Sequence, residues 1–527
     1  MASTHLQRPR FSPVQYQTAD SVEPPLEAAT DSKAWLPLIW CPADFPPEVF
    51  ELAVSQLIHH PEYNSTLILR SETVAETIED FPLAIPEFKG LRPLRNIHRR
   101  LLPRRPGRDT GLEQHCTLYD DAVSPENERT ICTLALTPIV EAGGSLPYYH
   151  PTVSHLAFRY ISADIPLLRI EAVPLPGTPT DPNSRLYRTC LALLETLHRY
   201  GWGAMTNYKK RVIHDAIIPR EAYQDMYLIM RERHKHLITT WQESTDPLKH
   251  VFEASQERRI LGRDIGIATF LMLLWKDMYG GDTQAADQKV HEDLHEPWKN
   301  WPRPPSGFLD LGCGNGLLVH ILVSEGYEGH GIDLRARTSW SYYPESTQKH
   351  LHIEAVDPTA FLSPSESHHQ QYFPPGVFII GNHADELTPW VPVLSTLCSA
   401  SGYLSIPCCA WTFDARYERS RNSDYDVPDM EKFVQSLNLG GDGGNTSSYS
   451  MYRIWLASLS YHCGWKVECE NLRIPSTRNW AIIGRKTITQ DSVGLADVRE
   501  RVKSTVENVR ERGLFKTRTP EGKAGEH

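Results

Sequence analysis

A chain of 527 residues exceeds what one hydrophobic core supports, so two to four domains are expected. Its composition, 40% hydrophobic and 23% charged, is that of an ordinary globular chain, and no apolar run approaches the roughly 18 residues of a membrane span, which excludes a transmembrane helix. A formal net charge of −11 excludes attraction of the whole molecule to nucleic acid, so any RNA site must be local and membranes and DNA are not expected partners.

Residues 1–33 are polar and rich in Pro and Ser without a period, which predicts a disordered lead, with order beginning near Trp35. No cationic start followed by an apolar stretch marks the amino terminus for secretion, and the ten cysteines contain no C-x-x-C pair. Reduced thiols and a cytoplasmic location are therefore expected. Residues 34–300 are expected to form an α+β region. Short apolar runs at Thr66–Leu69, Ile131–Leu136 and Val153–Tyr160 suggest strands, and amphipathic patterns at Leu186–Tyr200 and Glu221–Trp241 suggest helices. Within it Arg92–Arg108 holds seven arginines and no acid, the one stretch dense enough to bind phosphates. Asp264 is placed to cap a helix whose Ile265, Ala268, Met272 and Trp275 recur at three-to-four spacing, with apolar neighbours on its other faces, so this helix is expected to be buried.

After Pro302, Pro304 and Pro305 the pattern changes to short strands alternating with helices, which reads as an α/β domain over 301–486. Strands are expected at Gly307–Leu311, Gly329–Leu334, Leu351–Val356, Gly376–Gly381, Gly402–Ile406, Trp465–Glu470 and Trp480–Arg485. Seven is the count of a class I, Rossmann-like methyltransferase domain. The last two strands are too close for a helical crossover and should pair antiparallel. Residues 487–527 form a polar tail with one thin apolar stripe, Leu495, Val498, Val502, Val506 and Val509, either docked or mobile.

Phe308–Gly316 reads F-L-D-L-G-C-G-N-G, a strand running into a turn with Gly312, Gly314 and Gly316, then a helix amino terminus with free N–H groups. The next strand ends in Asp333, 19 residues past Gly314, where a carboxylate would accept the hydroxyls of an adenosine ribose. With G-x-G-x-G in place of G-x-G-x-x-G, and Asp310 in the strand end, the turn suits a donor with an amino-acid moiety: S-adenosylmethionine, bound by Asp310, Gly312, Gly314, Asn315, Gly316, Asp333, Asp357 near the adenine, and Asn382. Asp357 is equally a turn residue before Pro358. The fourth strand delivers Asn382, His383 and Asp385 to the sheet edge where an acceptor should sit; Asp385 or His383 would orient or deprotonate a nucleophile, or Asp385 caps the helix Leu387–Ala400. Ile406-Pro407-Cys408-Cys409 invites comparison with cysteine-dependent pyrimidine C5 transfer, against which stands a pair of buried thiols.

Beyond the glycine turn the chain resembles the eukaryotic tRNA (uracil-2′-O-)-methyltransferases that act on uridine 44 of serine tRNA. The resemblance rests on Leu102–Asp109, Tyr208–Arg211, Thr245–Glu253, Asp264–Trp275, the donor turn and its continuation, the stretch G-N-H-A-D-E-L-T-P-W, I-P-C-C, and Pro475–Gly484. It spans about residues 90–486, with an insertion at Ala254–Arg263 and without the Cys/His zinc finger of some relatives. It implies attack of a ribose 2′-hydroxyl on the donor methyl with no metal required, Asp385 as base, and serine tRNA as partner. Phosphate contacts would come from Arg99, Arg100, Arg104, Arg105, Arg108, Lys209, Lys210, Arg211 and Arg478. The alternatives are another acceptor, a pyrimidine C5 through Cys408 or a small molecule, and a non-catalytic RNA-binding scaffold.

Overall fold

The computed structural model describes residues 8–17, 23–29, 34–122, 129–141, 144–206, 212–237, 254–280, 296–362, 371–419, 424–440, 445–513 and 516, with only the backbone of 254–260. The chain divides into two compact units, Met1–Lys209 and Lys210–His527.

The first unit contains, in chain order, β1 (Val14–Gln15), β2 (Leu36–Pro42), α1 (Phe50–His59), β3 (Ile68–Thr77), β4 (Leu91–Pro103), β5 (Leu112–Asp121), β6 (Ile131–Ile139), β7 (Val153–Ile161), β8 (Leu167–Pro174) and α2 (Arg185–Met205). The strands form one sheet in the order β1-β2-β8-β7-β6-β5-β4-β3, every neighbouring pair antiparallel. Alternation along each strand sends one set of side chains inward. Ile39, Leu118, Leu134, Phe158 and Ile170 meet Phe50, Val54 and Leu57 of α1 and Leu186, Cys190, Leu194 and Leu197 of α2. Ser184 starts α2 by accepting from the Tyr187 amide at 3.1 Å.

The expected disordered lead is corrected where it is described. Val14–Gln15 pairs with β2, and Leu26 joins Trp35, Phe88 and Tyr119 in an apolar cluster. Leu26 also donates its amide to Glu171 at 2.8 Å, while Arg159 and Arg169 reach the carbonyls of Glu23 and Pro24. Proline-rich chain needs no period to dock, because its backbone polar groups are satisfied by the sheet's buried charges.

The second unit contains α3 (Arg220–Arg233), α4 (Ala254–Tyr279), β9 (Phe308–Leu311), α5 (Leu317–Ser324), β10 (Gly329–Asp333), α6 (Glu345–Gln348), β11 (Leu351–Ile353), β12 (Phe378–Asn382), α7 (Trp390–Leu397), β13 (Gly402–Ile406), α8 (Met430–Ser436), α9 (Ser448–His462), β14 (Trp465–Asn471), β15 (Trp480–Thr487) and α10 (Ser492–Arg512). Among the described residues its sheet has seven strands in the order β11-β10-β9-β12-β13-β15-β14. The first five are mutually parallel, and β15 pairs antiparallel with both β13 and β14. The chain builds outward from β9 to β11 and returns to place β12 on the other side of β9. The crevice at such a reversal is where ligands bind in open parallel sheets.

The boundary expected at 300/301 moves to 209/210, because α3 and α4 belong to this sheet. Met226, Met230, Ile265, Met272 and Trp275 share a cluster with Phe308, Phe378 and Leu404, and the Trp275 ring packs against Phe308, Tyr327 and Phe378. Asp264 does not cap a helix, since α4 runs unbroken through the insertion Ala254–Arg263. The opposite face is covered by α7 and α9, and by the tail helix α10, which docks Val498, Val502, Val506 and Val509 beside Trp390, Leu394 and Trp455. Leu495 stays exposed. Among the described residues no helix is long and apolar enough to cross a membrane.

Candidate active site

The turn after β9 is held by its neighbours on both sides. The amides of Gly312 and Cys313 donate to the Ile332 carbonyl at 2.9 and 3.0 Å, and the Gly314 amide donates to Asp333 Oδ2 at 2.9 Å. From outside, Trp340 Nε1 donates to the Gly314 carbonyl, and Ser339 and Tyr343 donate to that of Asn315. Two glycines matter for different reasons. At Gly314 (φ +53°) a side chain would enter open space beside the turn, so its absence lets a ligand approach the turn closely. At Gly316 (φ +73°) it would strike Leu351 and Trp340 at 3.0 to 3.2 Å, so this glycine serves packing and the entry into α5. Asn315 turns its Oδ1 back to the Leu317 amide while its carbonyl accepts from Ser339 and Tyr343, so both of its oxygens are spent on holding the turn.

Asp310 is 1% exposed, and its Oδ1 has no hydrogen-bond partner in the described structure. Burial, and then the nearby carboxylates of Asp264 and Asp333, push its pKa well above the usual range, against the opposing pull of Arg263. An unpartnered buried carboxylate costs free energy unless something cationic arrives. A donor carrying an ammonium and a sulfonium has the complementary charge. The residues at the turn thus fit S-adenosylmethionine: one buried acid without a partner, an open glycine backbone, and a second acid, Asp333, at the end of β10. Asp357 spends its Oδ1 on the amide and hydroxyl of Thr359, as a turn residue does.

On the other side of β9, parallel pairing sets Asp310 against Ile380 and Asn382 against Ile406, so the ends of β12 and β13 share one edge. Asn382 Oδ1 and His383 Nδ1 are both buried without partners. His383 (φ +56°) and Asp385 (φ +45°) adopt left-handed backbone that non-glycine residues rarely hold, a strain that clusters at functional sites. Burial, then Arg263, push the His383 pKa down to about 4, so its imidazole is neutral at neutral pH. Asp385 does not cap the following helix: α7 begins at Trp390 and has no side-chain cap. Instead its Oδ1 accepts from the Cys408 thiol at 3.1 Å. Burial and that carboxylate push the Cys408 pKa up to about 12, the opposite of what a thiolate nucleophile requires.

Arg478 is exposed, with its guanidinium 3.8 Å above the ring of Tyr449, whose hydroxyl donates to the Pro407 carbonyl at 2.8 Å. Arg453 lies over the same ring, 4.7 Å from its centre. Sequence reasoning missed Tyr449, Arg453 and the pair Arg263–Asp264, in which Arg263 Nε donates to the buried Asp264 at 2.8 Å. Nothing local marks them; they reach the site only through the packing of α4 and α9.

In the first unit the arginine-rich strand separates its members. Arg99 is corrected from a phosphate ligand to a core residue: it is 4% exposed and donates to Gln114 and to the carbonyls of Leu57 and Ile58. Strand alternation points it at α1, where it satisfies that helix's last carbonyls. Arg100 is exposed but paired with Glu113 at 2.7 Å, and Arg92 and Arg95 pair with Asp120 and Glu51. Arg104, Arg105 and Arg108 are exposed in the turn between β4 and β5, with Arg104 Nε donating to the Ile68 carbonyl. Lys209, Lys210 and Arg211 lie outside the described residues.

Residues 12–211 match the family model described as a TRM44-like, N-terminal bet v1-like domain, and residues 217–293 and 294–358 match a predicted AdoMet-dependent methyltransferase. No solved structure matches. Proteins named tRNA (uracil-O(2)-)-methyltransferase are similar along most of their length. That of Schizosaccharomyces pombe is 32% identical over 91% of each chain. That of Neurospora crassa is 32% identical over 93% of this chain and 94% of its own, and that of Saccharomyces cerevisiae 30% identical over 84% of each. With both units matched and about 30% identity sustained over 84 to 93% of its length, the chain belongs to the tRNA (uracil-O(2)-)-methyltransferase family.

Proposed function

We propose that the chain is an S-adenosylmethionine-dependent tRNA methyltransferase that forms 2′-O-methyluridine, at position 44 of serine tRNA, in a class I, Rossmann-like domain. The observation that carries the reading is the buried, unpartnered Asp310 beside the open turn at Gly314, facing strand ends that bear Asn382 and Asp385. Reversal of strand order at β9 and β12 supports the class I assignment. Asp310 would meet the cationic end of the donor, the turn of Gly312, Gly314, Asn315 and Gly316 would let its amino-acid moiety approach closely, and Asp333 would meet its ribose and Asp357 its adenine. The donor supplies an electrophilic methyl group on sulfur.

The protein's part is alignment and proton removal. A 2′-hydroxyl is a poor nucleophile at neutral pH, and Asp385, exposed at the strand edge, takes its proton as the oxygen reacts. His383, neutral and held in a left-handed backbone, orients the acceptor beside that carboxylate. Arg478, stacked on Tyr449, is fixed to meet a phosphate of the acceptor strand. Arg100, Arg104, Arg105, Arg108, Lys209, Lys210 and Arg211 supply further phosphate contacts. The raised thiol pKa of Cys408 weighs against pyrimidine C5 transfer. Mass spectrometry of nucleosides from tRNA incubated with the protein and labelled donor tests the reading: labelled 2′-O-methyluridine is expected, and label in 5-methyluridine overturns it.

A further inference from the structure

Asp385, Cys408 and Cys409 place a carboxylate oxygen and two sulfurs within 4.8 Å of one another, and no other such group of three ligands occurs among the described residues. Tetrahedral zinc binds sulfur at about 2.3 Å, which sets two sulfurs on one ion roughly 3.8 Å apart, so this spacing needs only small side-chain rotations to close. The backbone presenting the ligands is fixed. Tyr449 pins the Pro407 carbonyl immediately before Cys408, and the left-handed Asp385 turns its carboxylate back across the end of β12 toward the thiols. All three residues are partly or fully exposed, so an ion has a path in.

We propose that Asp385, Cys408 and Cys409 form a site for one thiophilic divalent cation of the zinc type, and that its occupancy shuts off the acceptor side of the active site. Two thiolates with one carboxylate select zinc over magnesium or calcium, which prefer all-oxygen shells. Three protein ligands leave the fourth position to water. On binding, each thiol releases its proton to solvent and two Zn–S bonds form with the Zn–O bond to Asp385. The Asp385 carboxylate, committed to the ion, is then withdrawn from the hydroxyl it serves. Donor binding, centred on Asp310 and Asp333, is untouched. The inhibitory consequence rests on the role proposed for Asp385; the binding site does not.

The experiment uses the full chain, reduced and stripped with a chelator, and zinc ion alone as probe in competition with a chromogenic chelator. One equivalent is expected to bind the wild type. The double variant Cys408→Ser/Cys409→Ser, whose melting temperature is checked first, should bind it more weakly than the roughly tenfold loss that even an outer-sphere partner causes. Asp385→Asn should weaken zinc in the same assay, read by binding only. Equal uptake by wild type and double variant, or none by either, overturns the proposal. In the methylation assay zinc should suppress the wild type and spare the double variant, with donor affinity by calorimetry the same with and without zinc; equal inhibition of both proteins also overturns it. If zinc binds as expected but the metal-free wild type methylates no tRNA, the proposed function falls and the metal site stands.

Discussion

In the antiparallel sheet Glu171 is fully buried and saturated: Arg159 and Arg169 approach its Oε1 at 2.9 and 2.8 Å, and the Leu26 amide takes its Oε2. In the seven-stranded sheet Asp310 is buried almost as deeply, yet its Oδ1 has no partner and its near neighbours include two more carboxylates. The two environments teach how to tell architecture from function. A buried charge whose hydrogen bonds all close within the fold holds the fold together. One left open, at the carboxyl edge of a sheet and beside a glycine turn, stores a cost that a cationic ligand removes.

The largest effect should come from breaking the closed case. Glu171→Gln leaves the buried Arg169 without its carboxylate and Arg159 with only the exposed Glu23, and should destabilise by about 3 to 5 kcal/mol, read from urea unfolding. Asp310→Asn should do the reverse in the free protein. The folded-state pKa of Asp310 is raised, so the native state disfavours its ionised form; below the unfolded pKa near 4 there is no penalty, and the penalty grows as pH rises from there toward the folded value. The stability of the variant minus that of the wild type should therefore climb between pH 4 and pH 7, while donor binding is lost. If Asp310→Asn destabilises as much as Glu171→Gln at pH 7, the distinction fails.

Asp333→Ala tests the donor side with a smaller change. Loss of a charge-assisted hydrogen bond costs about 1.5 to 3 kcal/mol, so S-adenosylmethionine affinity by calorimetry should fall about tenfold or more. Unchanged affinity in a folded variant would remove Asp333 from the donor site.

Within the arginine-rich strand the same contrast is sharpened residue by residue. Arg99→Ala strands Gln114 and two helix carbonyls and should lower stability by about 1 to 3 kcal/mol. Arg104→Ala with Arg105→Ala should leave the thermal melt in place, weaken tRNA in filter binding, and flatten the salt slope by up to about 2. A lowered melt with an unchanged slope would return these two to the structural class. The smallest effect is expected at Cys408→Ser, which keeps a donor for Asp385 and should retain most methylation of metal-free enzyme; loss of turnover with a covalent RNA adduct would revive pyrimidine chemistry.

The glycine turn after β9 and the strands around it were legible in sequence because their causes are local. Positive φ at Gly312, Gly314 and Gly316 demands glycine, a buried parallel strand demands a short apolar run, and Asp333 follows at a distance set by one helix and one strand. Wherever side-chain direction mattered, sequence was silent. Arg99 and Arg100 are adjacent, but pleating turns one into the core and the other to solvent, with ladder irregularities at Pro93/Arg95 and Thr73/Ala75 shifting the alternation. Asp264 had the spacing of a cap and became a buried neighbour of Asp310 because α4 continues through the insertion. The sequence by itself determined where a methyl donor's turn could form, since backbone conformation is dictated within a few residues. Only the tertiary structure decided which charges are closed and which are left open, because burial and the meeting of Asp310, Asp264, Asp385 and Cys408 depend on packing between elements far apart in the chain.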